Sequence, residues 1–440
     1  MENSQRTDRL TIFSWGLWDW GSAAFNAVLV TFIFAVYLTD SVGIGIPGSI
    51  SPTQWYGVAM AISGVAIAVV APVMGLRTDH HGTRRRAVAV WSLVTVVLMA
   101  SLVLVSNSDS RWFWYGITIM AIASVTFQFA EVNYYAMLRQ VSHPDNVGKV
   151  SGFGWSMGYF GGIVLLLFCF LGFINGGSHD GVAGLFNITK EDGWNIRWVA
   201  ITAAAWFFIF GLPVVFRVPE IPPQGSAPGG FRSSYARLWR DLQDLWHADR
   251  HSIYFLMSSA IFRDGLAGVF TFGAVIAVSV YGLSSSEVLL FGVAANVVSA
   301  LGALFGGLLD DKLGPKPVIL VSLLAMILVC AVLFFVTGPL MFWVFGLILC
   351  AFVGPAQSAS RTFLSRITPP GHDGQMFGLY ATTGRAVSWI APAMFFLAAL
   401  IGGGDRAGII GIMLVLAVGA GLLFRVRRPG HHSTSPFVAS

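Results

Sequence analysis

The stretch GLRTDHHGTRRR, Gly75–Arg86, stands between two long apolar runs and returns once in altered form, as GLLDDKLGPKP, Gly307–Pro317. Set one above the other, Gly75 meets Gly307, Asp79 meets Asp311, Gly82 meets Gly314 and Arg84 meets Lys316. A second pair runs in step. LRQVSHPDNVGKVSG from Leu138 aligns with LSRITPPGHDGQMFG from Leu364, so that Pro144 meets Pro370, Gly148 meets Gly374 and Gly152 meets Gly378. One short match is within reach of chance. Two, at corresponding places in the two halves of the chain, mark an internal duplication.

The solvent around this duplication follows from composition. Of 440 residues, 55% are hydrophobic and 11% charged, with mean hydropathy +0.73. Soluble domains carry roughly 25% charged residues. So few charges cannot coat a water-soluble protein of this length, and the surface faces a bilayer. Fifty glycines fit, because Gly is frequent in transmembrane helices. A spanning helix needs about 20 mostly apolar residues. That ruler marks spans near 13–38, 54–76, 87–106, 112–137, 151–173 and 197–217. Beyond a polar break come 252–281, 286–309, 317–337, 339–364, 375–401 and 407–425. The expectation is an all-α membrane protein of about twelve transmembrane helices in two pseudo-symmetric six-helix bundles. They occupy 1–217 and 251–428, with a linker at 218–250 and a tail at 429–440.

Lys and Arg orient the spans. With the N-terminus inside, Arg6, Arg9, Arg77, Arg84–Arg86 and most others, through to Arg425, Arg427 and Arg428, fall on the cytoplasmic side. The outside receives only Arg111, Lys190, Arg197 and Arg406. Both termini are therefore expected in the cytoplasm, with the plasma (inner) membrane as location if the source is bacterial. The bias accounts for the basic balance, and no solvated basic face for nucleic acid is evident. The start is polar and lacks a small-residue cleavage site, so the first apolar run reads as a retained span. Cys169, Cys330 and Cys350 all lie in apolar runs without ligand-like spacing. His80 and His81 alone make no metal site, and no nucleotide-binding Gly-rich loop is present. No metal, cofactor or enzymatic activity is expected.

The Gly-x-x-x-Asp-x-x-Gly-x-Arg/Lys loop between spans 2 and 3, repeated between 8 and 9, resembles the signature of the major facilitator superfamily. Arg77 and His80 depart from its usual leucine and arginine. A narrower likeness lies in Trp15, Asp19 and Trp20 of span 1, and in Arg263–Gly265 of span 7. It continues in GPAQSASRTFLSRITPPG from Gly354 and FGLYATTGRA from Phe377. Together these resemble the branch of autophagy-related vacuolar amino-acid effluxers and their bacterial relatives. The resemblance implies two bundles around a central cavity lined by spans 1, 4, 7 and 10, with access alternating as one bundle rocks against the other. It also implies that the loops of Asp79 and Asp311 act as gates, with Gly75, Gly82, Arg84, Gly307, Gly314 and Lys316 as their frame. Positive-inside anchoring alone is the simpler reading of the basic cluster.

Asp19, Glu131, Arg263, Asp264, Arg361 and Arg385 fall well inside spans or near their ends. Each central charge costs roughly 2.5–3.5 kcal/mol to insert. They must pair, meet water or reach the interface. Helical spacing groups Trp15, Asp19, Ser22, Ala23 and Asn26 on one side of span 1. Gln128, Glu131 and Tyr135 share a side of span 4, as do Gln357, Ser360 and Arg361 on span 10. Thr382, Arg385, Ser388 and Trp389 do so on span 11. A polar cavity wall would show such stripes, and so would structural clamps. Trp15 would wall the same cavity, whereas Trp18 and Trp20 flank that face and pack or anchor.

Cavity charges of both signs suit a zwitterion: arginines for a carboxylate, acids for an amine. The function expected is secondary transport of a small polar solute, with amino-acid-like efflux coupled to protons. Asp19 and Glu131 are the candidate proton acceptors, since removal from water favours a protonated carboxyl. Arg361 is the candidate anion-binding group. The partners expected are a small-molecule substrate, lipid and protons, the protein being a monomer. Export of amphipathic drugs or lipids is the alternative, and a non-transporting sensor or scaffold a third. Gly154, Gly158 and Gly162 form a small-residue ladder on span 5, fit for close packing. In the linker, Leu238, Leu242 and Leu245 share one helical face, with Tyr235 and Trp246 nearby, as an interfacial amphipathic helix would show.

Overall fold

The computed structural model describes residues 8–223 and 230–427. The tail at 429–440, linker residues 224–229, Arg6 and Arg428 lie outside the described residues. Among the described residues, twelve helical stretches are long and apolar enough to cross a membrane. Spans 1 to 6 are Arg9–Val42, Pro52–His81, Arg84–Leu104, Arg111–Ala136, Val147–Ile174 and Glu191–Arg217. Spans 7 to 12 are Arg250–Ser279, Glu287–Leu313, Pro315–Phe335, Pro339–Ile367, Asp373–Gly402 and Asp405–Arg425. Lipid offers no hydrogen bonds, so each backbone must satisfy itself, and long apolar runs become helices. The chain is an integral multi-pass membrane protein.

Local signals set the ends. Asp8 caps span 1 by accepting from Leu10 N at 3.2 Å. Ser284 and Glu287 form a capping box at span 8. Spans 9 and 10 start on Pro315 and Pro339, each after a glycine of positive φ, Gly314 at 84° and Gly338 at 88°. Proline suits a first helical turn, and the left-handed turn before it needs glycine.

Two spans are irregular where hydropathy reads them as continuous. Span 1 is α-helical over Arg9–Ala23 and then widens to a π-helix over Ala24–Phe32. Span 11 is two helices, Asp373–Val387 and Ile390–Gly402, broken at Ser388 and Trp389. Between spans 5 and 6 a small hairpin pairs Val182–Ala183 with Ile188–Thr189. The linker forms a helix, Phe231–Ala248, that turns Ser234, Leu238 and Leu245 inward.

The chain folds into two compact units that cut across sequence order. The first holds the residues up to Ile67, Arg85–Tyr134 and Met157–Glu220. The second holds Ala68–Arg84, Tyr135–Ser156 and the chain from Ile221 on. One end each of spans 2, 4 and 5 thus belongs with the second half of the sequence.

Candidate transport site and latch

In the first unit, the side chains of span 1 gather around one tyrosine of span 4. Trp15 and Trp18 lie on one side of the helix, and both stack on Tyr134, at centroid distances of 4.6 and 4.2 Å. All three are fully buried. Trp15 Nε1 donates to Tyr134 O at 3.2 Å, and Trp18 Nε1 donates to Ser92 Oγ at 3.0 Å. The Tyr134 hydroxyl, held by this stack, donates to Asp19 Oδ2 at 2.8 Å. Asp19 is half-buried. The carboxylate therefore sits at the rim of an aromatic core that fixes its partner, as a donor must be fixed to matter energetically.

Trp20 points elsewhere and stacks on Trp206 at 6.0 Å. Span 5 passes close behind. A Cβ on Gly161 would meet Trp20 O at 2.4 Å, and one on Gly158 would stand 3.8 Å from Asp19 Cβ. Gly161, outside the expected ladder, makes the tighter approach. On span 4, Gln128 Nε2 donates to Glu131 Oε2 at 2.6 Å, an i,i+3 pair on one face. Asn26 falls in the π-helical stretch and is exposed. The wider turn displaces it from the α-helical stripe of Trp15, Asp19 and Ser22.

In the second unit, Arg361 is 1% exposed. Its Nε donates to Ser151 Oγ at 3.0 Å and its Nη2 to Ser151 O at 2.6 Å. Its guanidinium lies 5.0 Å from the Tyr135 ring centroid and 5.7 Å from that of Trp155. Gln357, one turn away, is half-buried. Arg263 lies 3.5 Å over the Tyr380 ring and donates to Tyr380 O at 3.2 Å. Asp264 is buried, and its Oδ2 accepts from Ala391 N at 2.6 Å. Ala391 is the second residue after the break in span 11, so Asp264 caps the half-helix that begins there. Adjacent charges on span 7 thus hold the two pieces of span 11. Arg385 is exposed on the first piece.

The duplicated loops meet in the same unit. Asp79 Oδ1 accepts from Gly374 N at 3.0 Å and Oδ2 from Gln375 N at 2.9 Å. Asp311 Oδ1 accepts from Gly148 N at 2.7 Å and Oδ2 from Lys149 N at 3.1 Å. In each case the donors are the second and third residues of a helix, Asp373–Val387 or Val147–Cys169. Each aspartate is a cap supplied from another helix, placed where unsatisfied N–H groups and the helix dipole favour an anion.

Backbone meets backbone beside each cap. A Cβ on Gly75 would stand 1.9 Å from Gly374 O, and one on Gly307 would stand 2.5 Å from Gly148 O. One turn further, a Cβ on Gly378 would meet Ala71 O at 2.7 Å, and one on Gly152 would meet Ala303 O at 2.3 Å. The residues matched by the repeat form the same helix crossing twice. Gly82 and Gly314 turn the chain at φ 65° and 84°.

The repeat parts company at its basic residue. Arg84 is buried and donates through Nε and Nη2 to Asp79 at 2.8 and 2.6 Å, and to Asp373 at 3.2 Å. Lys316, matched to it in sequence, donates to the carbonyls of Phe424 and Val426, at the end of span 12. In the second copy the cation is Arg366, 3.3 Å from Asp310 and 3.6 Å from Asp311. Arg139 completes the first copy, 3.4 Å from Asp373 and bonded to the carbonyls of Ser365 and Thr368.

Tyr134, Ser151, Asp310, Asp373, Arg139 and Arg366 belong to these clusters and were not singled out from sequence. Asp373 and Arg366 lie inside the second repeat, which was a signal. The role of Tyr134 depends on a neighbour 115 residues away and leaves no local mark.

Comparison with known proteins bears on the family and the fold. Residues 139–430 match the family described as vacuole effluxer Atg22 like. An uncharacterized MFS-type transporter of Bacillus subtilis (strain 168), YxiO, is 22% identical over 410 residues, 93% of each chain. Autophagy-related protein 22-1 of Neosartorya fischeri is 25% identical over 271 residues, which span 56% of this chain and 42% of the fungal one. Among solved structures, the E. coli fucose:proton symporter FucP superposes with a TM-score of 0.69 at 15% identity, covering 95% of this chain and 98% of that one. The proton:xylose symporter XylE also gives 0.69, at 13% identity, covering 96% and 95%. These two likenesses bear on the fold alone.

Twelve helical spans and these likenesses give the chain the major facilitator fold, and the family match makes it a transporter of that superfamily. Such a protein moves a small molecule across a membrane and is not an enzyme. Within the superfamily, the chain belongs to the vacuole effluxer Atg22-like family.

Proposed function

We propose that the chain is a secondary active transporter of alternating access, exporting a small polar or zwitterionic solute of amino-acid type with coupling to protons. The observation that carries this reading is the twin cap, in which Asp79 and Asp311 each grip the start of a helix from the opposite half of the sequence. Contacts made of carboxylate and backbone N–H can form and break without repacking a core, as a gate requires. We read 1–217 and 251–428 as the two six-helix bundles, 218–250 as their linker and both termini as cytoplasmic, the protein acting as a monomer. The distribution of Lys and Arg supports that orientation, and the plasma membrane is the location in a bacterium.

Asp19 is the proposed proton acceptor. It is half-buried, and the Tyr134 hydroxyl supplies a fixed hydrogen-bond donor. Glu131, braced by Gln128, is the second acceptor. Arg361 is the proposed anion-binding group, with Gln357, Tyr135 and Arg385 in supporting roles and Asn26 at the rim. Arg263 and Asp264 act on span 11. Proteoliposomes test the reading. A pH gradient should drive amino-acid uptake, and Asp19→Asn should abolish gradient-driven uptake while leaving amino-acid exchange intact. Full gradient-driven uptake in Asp19→Asn removes Asp19 as the coupling site. A thermal-shift screen identifies the solute, since a ligand of the folded state raises its stability.

A second reading, export of an amphipathic compound, draws on one observation. An apolar crevice in the second unit is lined by Phe272, Ile276, Phe291, Leu333, Phe342 and Ile412 among others. If the crevice holds substrate, amphipathic compounds and not amino acids will raise the melting temperature, and Phe342→Ala will cancel the rise.

A further inference from the structure

The linker helix Phe231–Ala248 has two faces with different surroundings. Its inner face carries the buried Ser234, Leu238 and Leu245. From that side the Tyr235 hydroxyl donates to Val69 O of span 2, and Gln375 Nε2 of span 11 donates to Asp241 Oδ2 at 3.2 Å. Gln375 is the residue whose backbone N–H is held by Asp79. The helix therefore touches both spans that the first latch joins, span 2 at Val69 and span 11 at Gln375.

Its outer shoulder is apolar where the protein offers no cover. Trp239 is 64% exposed, Trp246 38% and Phe231 48%. Trp239 and Trp246 are seven residues apart, two helical turns, and share a side. Trp246 meets Tyr254 of span 7 edge-on at 5.8 Å, and the Arg250 guanidinium lies 5.7 Å from the same tryptophan ring. Tyr254 and, one turn on, Met257 are themselves exposed on the membrane-spanning helix. The tryptophan shoulder thus continues an exposed apolar surface of the membrane-spanning span 7. Arg232, two turns before Trp239, shares its side, and Arg240 lies one position further around the helix; both are exposed. Aromatic rings at headgroup depth with arginines beside them are how a helix lies on an anionic membrane surface.

We propose that this shoulder is a docking surface for anionic lipid headgroups, seated by Trp239 and Trp246 and held by Arg232 and Arg240, and that the Asp241–Gln375 bond passes this seating to the Asp79 latch. Lipid bound here steadies the start of span 11 and favours the closed latch. The proposal is independent of the transported solute. A soluble protein as occupant would leave the shoulder in water when only lipid is present.

The test uses the full chain in nanodiscs of phosphatidylcholine, with or without phosphatidylglycerol. Trp239→Cys and Asp244→Cys, the latter exposed and on the far side of the helix from Trp239, are labelled separately with an environment-sensitive fluorophore, the native cysteines being buried. At position 239 the label should emit at shorter wavelength and be quenched several-fold more by a headgroup nitroxide lipid than at position 244. Equal quenching at the two positions overturns the lipid seat. Hydrogen exchange at Gly374 and Gln375 should slow several-fold with phosphatidylglycerol present. Asp241→Ala, and Arg232→Ser with Arg240→Ser, should each erase that difference. Identical exchange in the two lipids overturns the coupling.

Discussion

Tyr134 stacks against two rings of span 1, Trp15 and Trp18, and its hydroxyl donates to Asp19. Two substitutions separate its roles. Tyr134→Phe keeps the stack and deletes the donor to Asp19, so thermal unfolding should fall by about 1 kcal/mol while the pH profile of transport changes. Tyr134→Ala empties the stack and should cost about 3–5 kcal/mol, read as a large drop in melting temperature. At Asp79, replacement by Asn leaves the buried Arg84 guanidinium facing Asp373 alone. Breaking a buried pair from one side costs about 3–5 kcal/mol, which denaturant unfolding in detergent would register. Asp19 and Arg361 were legible as residues because a charge in an apolar run has no cheap explanation. Tyr134 was not, since a tyrosine is at home in any apolar helix and its neighbour Tyr135 offered a better spacing match. Trp18, expected to flank the Trp15 face and to pack or anchor, packs against Ser92 and the same tyrosine as Trp15.

Among elements, span 11 departs most from its sequence reading. Hydropathy measures length and oiliness and is blind to a broken backbone, so 375–401 reads as one helix. The break exists because Asp264 supplies, from span 7, the acceptor that an interrupted helix lacks at its new start. Asp264→Leu should speed hydrogen exchange at Ala391 by roughly tenfold or more, since one lost buried hydrogen bond is worth about 1.5 kcal/mol or above when charged. Asp264→Asn keeps a carbonyl acceptor and should hold exchange near the parent rate. Unchanged exchange in the leucine variant would show that the half-helix needs no cap. The π-helical turn in span 1 was hidden for the same reason: its residues, Ala24–Phe32, are as apolar as those around them. The linker helix, by contrast, is legible from leucine spacing, but the leucine face expected at the membrane interface packs on protein instead, with Leu238 and Leu245 buried.

For the whole molecule, the duplication is the organising fact. Matched glycines and aspartates announced a twofold plan, and the structure returns each match as half of one helix crossing. The cation beside each cap is less legible. Arg84 and Lys316 align, yet only the first reaches its aspartate, because the second copy draws its cation from span 10. Sequence alignment registers position along the chain, whereas a salt bridge requires only that some cation be near. If the two caps share the work of closure, neutralising both should open what neither opens alone. Val150 is buried beside Gly148. A cysteine there, Val150→Cys, should react with a water-soluble maleimide about tenfold faster or more in Asp79→Asn/Asp311→Asn than in either single variant, since about 1.4 kcal/mol of lost bias shifts a population tenfold. Equal rates in all three would assign closure to other contacts.

The crossing of Gly75 on Gly374 has an evolutionary consequence. Both surfaces at that point are main chain, with Gly374 O in the space a methyl group on Gly75 would take. An overfilled side-chain core can be relieved by trimming the neighbour. Here the neighbour has nothing to trim, so no second-site change restores a lost glycine. Between the two copies in this chain the cation beside the cap has changed, from Arg84 to Lys316, while the glycine at the crossing stands in both, as Gly75 and Gly307. A library that varies Gly75 and Gly374 together should therefore return only the parent pair among transport-competent clones.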